Sequence, residues 1–288
     1  MWRIAVDKSI RDACEQYLDK LPESIAEAIE YALQGGGKRL RGILVLAAYD
    51  AAGGDGDAGR IAAAFEMVHA YSLIHDDLPC MDDDDIRRGR PTTHRAFDVN
   101  VATLAGAALI PIAARAAHDG ARALMLPTPL CCTIVRVLMR AAGSSGMIGG
   151  QLLDLEAEGR DLSRTELDSI HAAKTGALIS AAVVAGGLAA RADDEVLAGL
   201  NGFGSNVGLA FQIMDDVLDV TSSSERLGKT TGRDVALRKS TYPALLGVDG
   251  AVARAEALRD DACSSLRERG ILTKELEEIA DFVVSRTH

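Results

Sequence analysis

Two separated groups of aspartates constrain this chain more than any other feature. The first is Asp76, Asp77, Asp82, Asp83, Asp84 and Asp85, followed by Arg87, Arg88 and Arg90; the second is Asp215, Asp216 and Asp219. At about 4 Å, two like charges cost roughly 4 kcal/mol at an effective dielectric near 20. A fold carries such groups only where they face water or hold cations. Each group opens with an adjacent Asp-Asp pair. This points to Mg²⁺, which binds through one or two carboxylates plus substrate phosphates.

The scaffold around them reads as helical. Hydrophobic residues make up 48% of the 288 but aromatics only 4%, and there are seven prolines, so the core is aliphatic and small. Helical spacing runs from Ile10 to Leu33 and stops at Gly35-Gly36-Gly37. Further helices are expected over Gly42–Ala52, Arg60–Leu78, Ala96–Ala117, Leu130–Ala142 and Met147–Glu158. Ser163 and Glu166 form a capping box for a helix from Arg164 to about Ala185, with its end at Gly186-Gly187. Asp194–Val220, Pro243–Glu268 (interrupted near Gly247 to Gly250) and Lys274–Ser285 complete the set. The polar stretch from Thr221 to Thr241 is long for a loop inside a compact domain, as functional lids are. No repeat and no long Pro/Gly/Ser linker divides the chain, so residues 1–288 are expected to form a single domain.

On a helix, Asp215 and Asp219 share a face, about 5–6 Å apart between Cβ atoms. Asp216 points roughly 100° away and flanks them. In the first group Asp76 ends the Arg60–Leu78 helix, and Pro79 breaks it. Asp82 comes back over Asp76 only if Leu78-Pro79-Cys80-Met81 form a local loop. Asp83 to Asp85 are expected to face solvent. Gly36-Gly37-Lys38-Arg39-Leu40-Arg41 places three cations after a glycine turn at a helix N-terminus, a good oxyanion site. It is not a P-loop, since the Gly-x4-Gly-Lys-Ser/Thr order is missing. Arg87 and Arg88 add two bidentate forks, and Lys174, Lys229 and Lys239 further charge. Two Mg²⁺-competent acid groups with separate cationic sites and apolar helices suit a greasy substrate that carries diphosphate.

Other classes fit poorly. A net charge of −11 argues against nonspecific nucleic-acid binding. The five cysteines show no CxxC spacing and look like reduced intracellular thiols. No signal peptide is visible at Met1-Trp2-Arg3-Ile4. The apolar run Val101–Ala117 holds Pro111 and Arg115 and is short for a span, so it reads as a buried helix with no stable membrane anchor.

These residues resemble the polyprenyl synthases, head-to-tail prenyltransferases that make isoprenoid diphosphates. The resemblance rests on Gly36 to Arg41, on His69-Ala70-Tyr71-Ser72-Leu73-Ile74-His75-Asp76-Asp77-Leu78-Pro79-Cys80-Met81-Asp82 and on Gly149-Gly150-Gln151. Lys174-Thr175-Gly176, Phe211-Gln212 through Asp219, Gly228-Lys229-Thr230 and Lys239-Ser240-Thr241-Tyr242-Pro243 add to it. The resemblance implies an all-α, single-domain helical bundle around a deep central active-site cavity, a cytoplasmic homodimer, and about three Mg²⁺ ions. It implies that Asp76, Asp82 and Asp215 ligate metal, supported by Asp77, Asp216 and Asp219. Lys38, Arg41, His69 and Arg88 would hold isopentenyl diphosphate. Arg87, Lys174, Gln212, Lys229 and Lys239 would hold the allylic diphosphate, with Thr175 at the reacting centre. Lys174, Thr175, Lys229 and Arg87 would be the catalytic set, and lid closure over Thr221–Thr241 would exclude water.

Tyr71 lies five residues before Asp76, about 7.5 Å along the helix axis. With Ser72 beside it, a ring there could floor the substrate cavity, and the inserted Pro79-Cys80 shortens the room in many members. Both fit a C15 product of the bacterial kind, with a C20 product as the alternative. The chain departs from the pattern at Ala107, where many relatives carry aspartate, and at Asp98-Val99. A noncatalytic regulatory subunit would usually lose an acid motif, and both are present here. A terpene cyclase has no need of the Gly-Gly-Lys-Arg-Leu-Arg site. A lipid phosphatase would fit the acids and cations but would make no longer chain.

Overall fold

The computed structural model describes residues 2–221 and 240–286, and regular structure among them is almost wholly helical. The all-α expectation therefore holds. The described residues fall into two compact units, Met1–Leu46 with Gly56–Val135, and Ala47–Asp55 with Arg136–His288.

The first unit contains α1 (Trp2–Tyr17), α2 (Glu23–Gln34), most of α3 (Leu40–Ala51), α4 (Gly59–Asp76), a two-strand hairpin of β1 (Ile86–Arg87) and β2 (Arg90–Pro91), α5 (Thr93–Ala96) and α6 (Val99–Ala123). The expected single helix over Ile10–Leu33 is two helices: Pro22 cannot donate to the helix ladder and caps α2 instead. α4 is the hub. Its residues Ile61 to Val68 are all buried, and it packs on α1, α2 and α6. An alanine-rich α4 and α6 let the two axes approach closely. α6 runs past Ala117 to Ala123, with Pro111 inside it on the exposed side. Asp98 caps it, its carboxylate accepting from Val101 N–H at 2.8 Å, so this departure from the family pattern does local work. The reading of this stretch as a buried helix needs correction. One face is buried through Ala102, Ala105, Leu109 and Ala113, while Leu104 and Ala107 are exposed. By length and composition alone, Val99–Ala123 and Arg164–Ala189 could each cross a membrane.

The second unit contains the C-terminal half of α7 (Thr128–Ala142), then α8 (Met147–Glu156), α9 (Arg164–His171), a π-helical turn at Ala172–Gly176, α10 (Ala177–Ala189), α11 (Asp194–Thr221), α12 (Tyr242–Arg267) and α13 (Lys274–Ser285). The capping box forms as expected: Ser163 Oγ accepts from Glu166 N–H at 3.3 Å, and Ser163 N–H donates to Glu166 Oε2 at 2.9 Å. The helix it starts is not continuous, because the π turn interrupts it. Nor does it end at Gly186-Gly187; a Cβ at Gly187 would meet Leu200 at 2.5 Å, so this glycine serves packing. The same holds inside α11, which keeps its helix despite its glycines. At Gly208 a Cβ would lie 2.7 Å from the Gly176 Cα, so the two backbones touch where the π turn crosses α11. Gly247, at φ 73°, kinks α12 inside the expected interruption.

Candidate active site

In the first unit the acid motif is built by a fold-back. α4 ends at Asp76, two residues before the expected break near Leu78. Met81 N–H and Asp83 N–H both donate to Leu78 O, at 2.9 and 3.1 Å. This tight loop returns Asp82, whose N–H donates to Asp76 O at 2.8 Å. The local loop that the sequence required is thus present, and the two motif ends sit together, each half-buried. Asp83 and Asp85 face solvent as expected. Asp84 does not: it is half-buried, 3.7 Å from Arg87 Nη2.

Asp77 turns the other way and is only 3% exposed. Arg87 grips it with two nitrogens, Nε at 2.7 and 2.9 Å and Nη2 at 2.6 Å. Burial pulls the Arg87 pKa down, but the hydrogen bond and charge of Asp77, with Asp76 and Asp84, outweigh it and leave it raised. Arg87 sits on β1, paired with Arg90 on β2. The connecting Arg88 and Gly89 have φ of 53° and 73°, the primed geometry that suits a two-residue hairpin. The turn swings Arg88 onto the glycine loop, where Nη1 donates to Gly36 O at 2.5 Å. A Cβ at Gly37 would meet that same nitrogen at 2.5 Å, and Gly36 and Gly37 have φ of 79° and 134°, so only glycine fits this cradle.

The three expected cations of the basic motif divide. Arg39 (φ 53°) is turned inward: Nε donates to Asp7 Oδ1 at 2.7 Å, Nη2 donates to Leu33 O at 2.6 Å, and Nη1 lies 4.0 Å from buried Glu66. Its alternating neighbours differ, with Lys38 exposed and Arg41 half-buried. A pocket of about 550 Å³ opens here, lined among others by Tyr31, Glu66, His69, Asp77, Arg87 and Arg88. His69 Nδ1 is sealed from solvent with no hydrogen-bond partner among the described residues. Burial first, then the charges of Arg41, Arg88, Arg87 and Arg39, hold the His69 pKa well below 6.5, so the ring is neutral at pH 7. Burial and the neighbouring Arg87 and Arg39 also lower the Arg88 pKa. Crowded, mutually repelling cations of this kind mark an anion site. Beside it, Tyr71 is buried edge-on to His75 at 5.0 Å, and Ser72 Oγ donates to His69 O at 2.9 Å.

In the second unit the pair divides the same way. Asp216 is 3% exposed and accepts three hydrogen bonds: from His171 Nε2 at 3.3 Å, Gln212 Nε2 at 3.2 Å and Tyr242 N–H at 3.1 Å. Gln212 in turn accepts from Thr175 Oγ1 at 2.8 Å, a reach set by the backbone contact at Gly208 and Gly176. Asp215 faces outward, 43% exposed, with Arg286 Nη1 at 2.8 Å. Asp219 is half-buried, and its Oδ2 is buried with no hydrogen-bond partner among the described residues. Lys174 sits in the π turn, its Nζ donating to Asp154 Oδ2 at 2.7 Å. Lys229, Lys239 and nearly all of the expected lid lie outside the described residues.

Sequence reading missed Asp154, His171, Tyr242 and Arg286 as parts of the site. Asp154 lies three residues beyond the Gly149-Gly150-Gln151 motif, which was a usable signal; Arg286 had none. Among the described residues no three acidic, histidine or cysteine side chains form a ready metal cage. Mg²⁺ does not need one, since it keeps waters and takes its remaining ligands from substrate phosphates. Each acid motif suits such an ion by itself: the first pairs the backbones of Asp76 and Asp82, and the second holds a buried carboxylate oxygen of Asp219.

The polyprenyl synthetase family model matches residues 22–278. Farnesyl diphosphate synthase of Bacillus subtilis (strain 168) is 40% identical over 289 residues, covering 98% of this chain and 96% of that protein. Geranylgeranyl diphosphate synthase of Cyanophora paradoxa is 41% identical over 269 residues, covering 93% of this chain and 89% of that protein. The crystal structure of a geranyltransferase from Helicobacter pylori, complexed with magnesium and isoprenyl diphosphate, matches with a TM-score of 0.80 at 32% identity, over 96% of this chain and 95% of that one.

Proposed function

The chain belongs to the polyprenyl synthetase family, and from that premise we propose that it is a Mg²⁺-dependent farnesyl diphosphate synthase. It condenses isopentenyl diphosphate with dimethylallyl and then geranyl diphosphate. The observation that carries this reading is the fold-back that sets Asp82 on Asp76 beside an arginine-lined pocket. Relatives with the same fold and about 40% identity over nearly the whole chain support it.

In this reading the first-unit pocket takes isopentenyl diphosphate. Arg88 and the neutral His69 line that pocket, His69 donating a hydrogen bond without adding charge, and Lys38 and Arg41, outside its lining, are assigned to the same diphosphate. Arg87, Lys174, Gln212, Lys229 and Lys239 are assigned to the allylic diphosphate, with Thr175 at the reacting carbon. Asp154 holds the Lys174 ammonium in place until the diphosphate arrives. Asp76 and Asp82 hold Mg²⁺, as do Asp215 and Asp219, while Asp77 and Asp216 support them; three ions are expected. Bound Mg²⁺ supplies Lewis-acid stabilisation of the charge that builds on the departing diphosphate.

The allylic C–O bond breaks, and the π electrons of isopentenyl diphosphate form the new C–C bond to the allylic cation. A proton is then lost to the departing diphosphate. Arg87 and Lys174 are held by Asp77 and Asp154 before reaction, so little reorganisation is needed for them to stabilise that leaving group. We further propose that the whole chain acts as one prenyltransferase domain and works in the cytoplasm. The exposed apolar side of α6, with Leu104 and Ala107, would meet a second copy in a homodimer.

A geranylgeranyl product is the second reading, because geranylgeranyl synthases match at similar identity. The buried Tyr71 ring favours the shorter chain. The test is to incubate the protein with Mg²⁺, labelled isopentenyl diphosphate and geranyl diphosphate, and to size the products. A C15 main product is expected. A C20 main product overturns the length assignment, and phosphate release without elongation overturns the prenyltransferase reading.

A further inference from the structure

Arg286, next to the end of the chain, is built into the second acid motif. Its side chain is 2% exposed. Nε donates to Val283 O at 3.2 Å, Nη2 donates to Phe211 O, and the guanidinium lies 3.8 Å above the Phe211 ring. Nη1 ends 2.8 Å from Asp215 Oδ1. Contacts to two residues, Val283 on α13 and Phe211 on α11, therefore hold the cation against the carboxylate. A surface ion pair would not need them.

We infer that Arg286 is a resident counter-charge that sets the divalent-cation affinity of the second acid motif. The inference rests on the reading of Asp215 as a metal ligand given above. Asp215, Asp216 and Asp219 concentrate negative charge on one helix end, and α11 has no basic residue in its last turn. Without metal, Arg286 and the donors on Asp216 offset part of that charge. A divalent ion approaching Asp215 then meets a fixed positive charge already on one of its oxygens. Binding to the free protein is weakened, and it becomes favourable when a diphosphate brings negative charge of its own. Arg286 is thus a positioning residue: it makes metal loading depend on the substrate headgroup, so the motif stays largely unfilled until there is a leaving group to stabilise.

The test is Mn²⁺ binding to the full-length, metal-stripped protein, followed by the electron paramagnetic resonance of free Mn²⁺, with and without inorganic pyrophosphate. Arg286→Gln removes the charge, Arg286→Lys keeps it, and a chain ending at Ser285 removes the side chain by another route should Arg286→Gln fail to fold. Without pyrophosphate, the two charge-free variants are expected to bind Mn²⁺ about tenfold tighter than the parent, as for loss of one unit charge near a divalent ion in a largely solvated site. Saturating pyrophosphate should shrink that gap, and Arg286→Lys should stay near the parent. Equal or weaker Mn²⁺ binding by both charge-free variants overturns the inference, and weaker binding would mean that Arg286 only steadies the carboxylate. Asp215→Asn separates the two readings: if it leaves Mn²⁺ binding unchanged, the assignment of Asp215 as a ligand fails, whatever Arg286 does.

Discussion

Removing the guanidinium of Arg87 should destabilise the metal-free protein by an amount the structure fixes in advance. Asp77 is 3% exposed, and Arg87 meets it with contacts of 2.6, 2.7 and 2.9 Å. Breaking a buried pair by deleting one partner leaves an uncompensated charge and costs about 3–5 kcal/mol. The Asp84 contact at 3.7 Å is looser and adds less than about 1 kcal/mol. With about 2.1 cal/mol/K of unfolding entropy per residue, the chain gives roughly 0.6 kcal/mol per degree, so Arg87→Ala should lower Tm by about 5–8 °C. The measurement is differential scanning calorimetry in EDTA at neutral pH. A second arm tests the cause: Asp77→Leu combined with Arg87→Met replaces the pair by apolar groups and should lie within about 1 kcal/mol of the parent. A fall in Tm below about 2 °C for Arg87→Ala, or a double variant as unstable as the single one, would refute the claim that the pair is a buried clamp.

Tyr71→Ala opens the space beside His75, and its product should lengthen from C15 toward C20 in the same sizing assay; an unchanged profile removes Tyr71 from control of chain length. His69 gives a pH prediction. Its folded pKa lies below its ordinary 6.5, so between those two values the unfolded chain binds more protons than the folded one. Stability should therefore fall as pH drops below about 6.5, and His69→Gln should flatten that part of the urea-midpoint profile; a profile unchanged by the substitution would place the acid sensitivity elsewhere.

Much of the fold was legible because its signals are local. Helical periodicity, the stop at Gly35-Gly36-Gly37, the capping box at Ser163 and the kink near Gly247 each depend on a few neighbouring residues. The return of Asp82 over Asp76 was legible for another reason: the motif spacing left no other way to bring the two together. What was missed depends on contacts between distant parts of the chain. The π turn at Ala172–Gly176 has a helix-compatible composition, and only its contact with Gly208 gives it away. Three adjacent cations at Lys38, Arg39 and Arg41 look alike in sequence, yet a left-handed φ at Arg39 turns that one into the interior toward Asp7. Arg286 lies near the chain end and reaches Asp215 only through the packing of α13 on α11.

The adjacent Asp-Asp pairs now have a physical reason that metal binding alone does not supply. Neighbours on a helix point about 100° apart, so one carboxylate can face outward while the next faces the core. Asp76 and Asp215 are partly exposed; Asp77 and Asp216 are buried. A buried carboxylate adds little net stability even when well paired. What each one does is fix a neighbouring segment. Through Arg87, Asp77 fixes the hairpin that presents Arg88 to the pocket. Through the Tyr242 N–H, Asp216 fixes the first residue of α12, and through Gln212 it orients the Thr175 hydroxyl. The outward member of each pair can then be given to a cation that comes and goes with the substrate, because the inward member holds the surrounding segments whether or not that cation is bound.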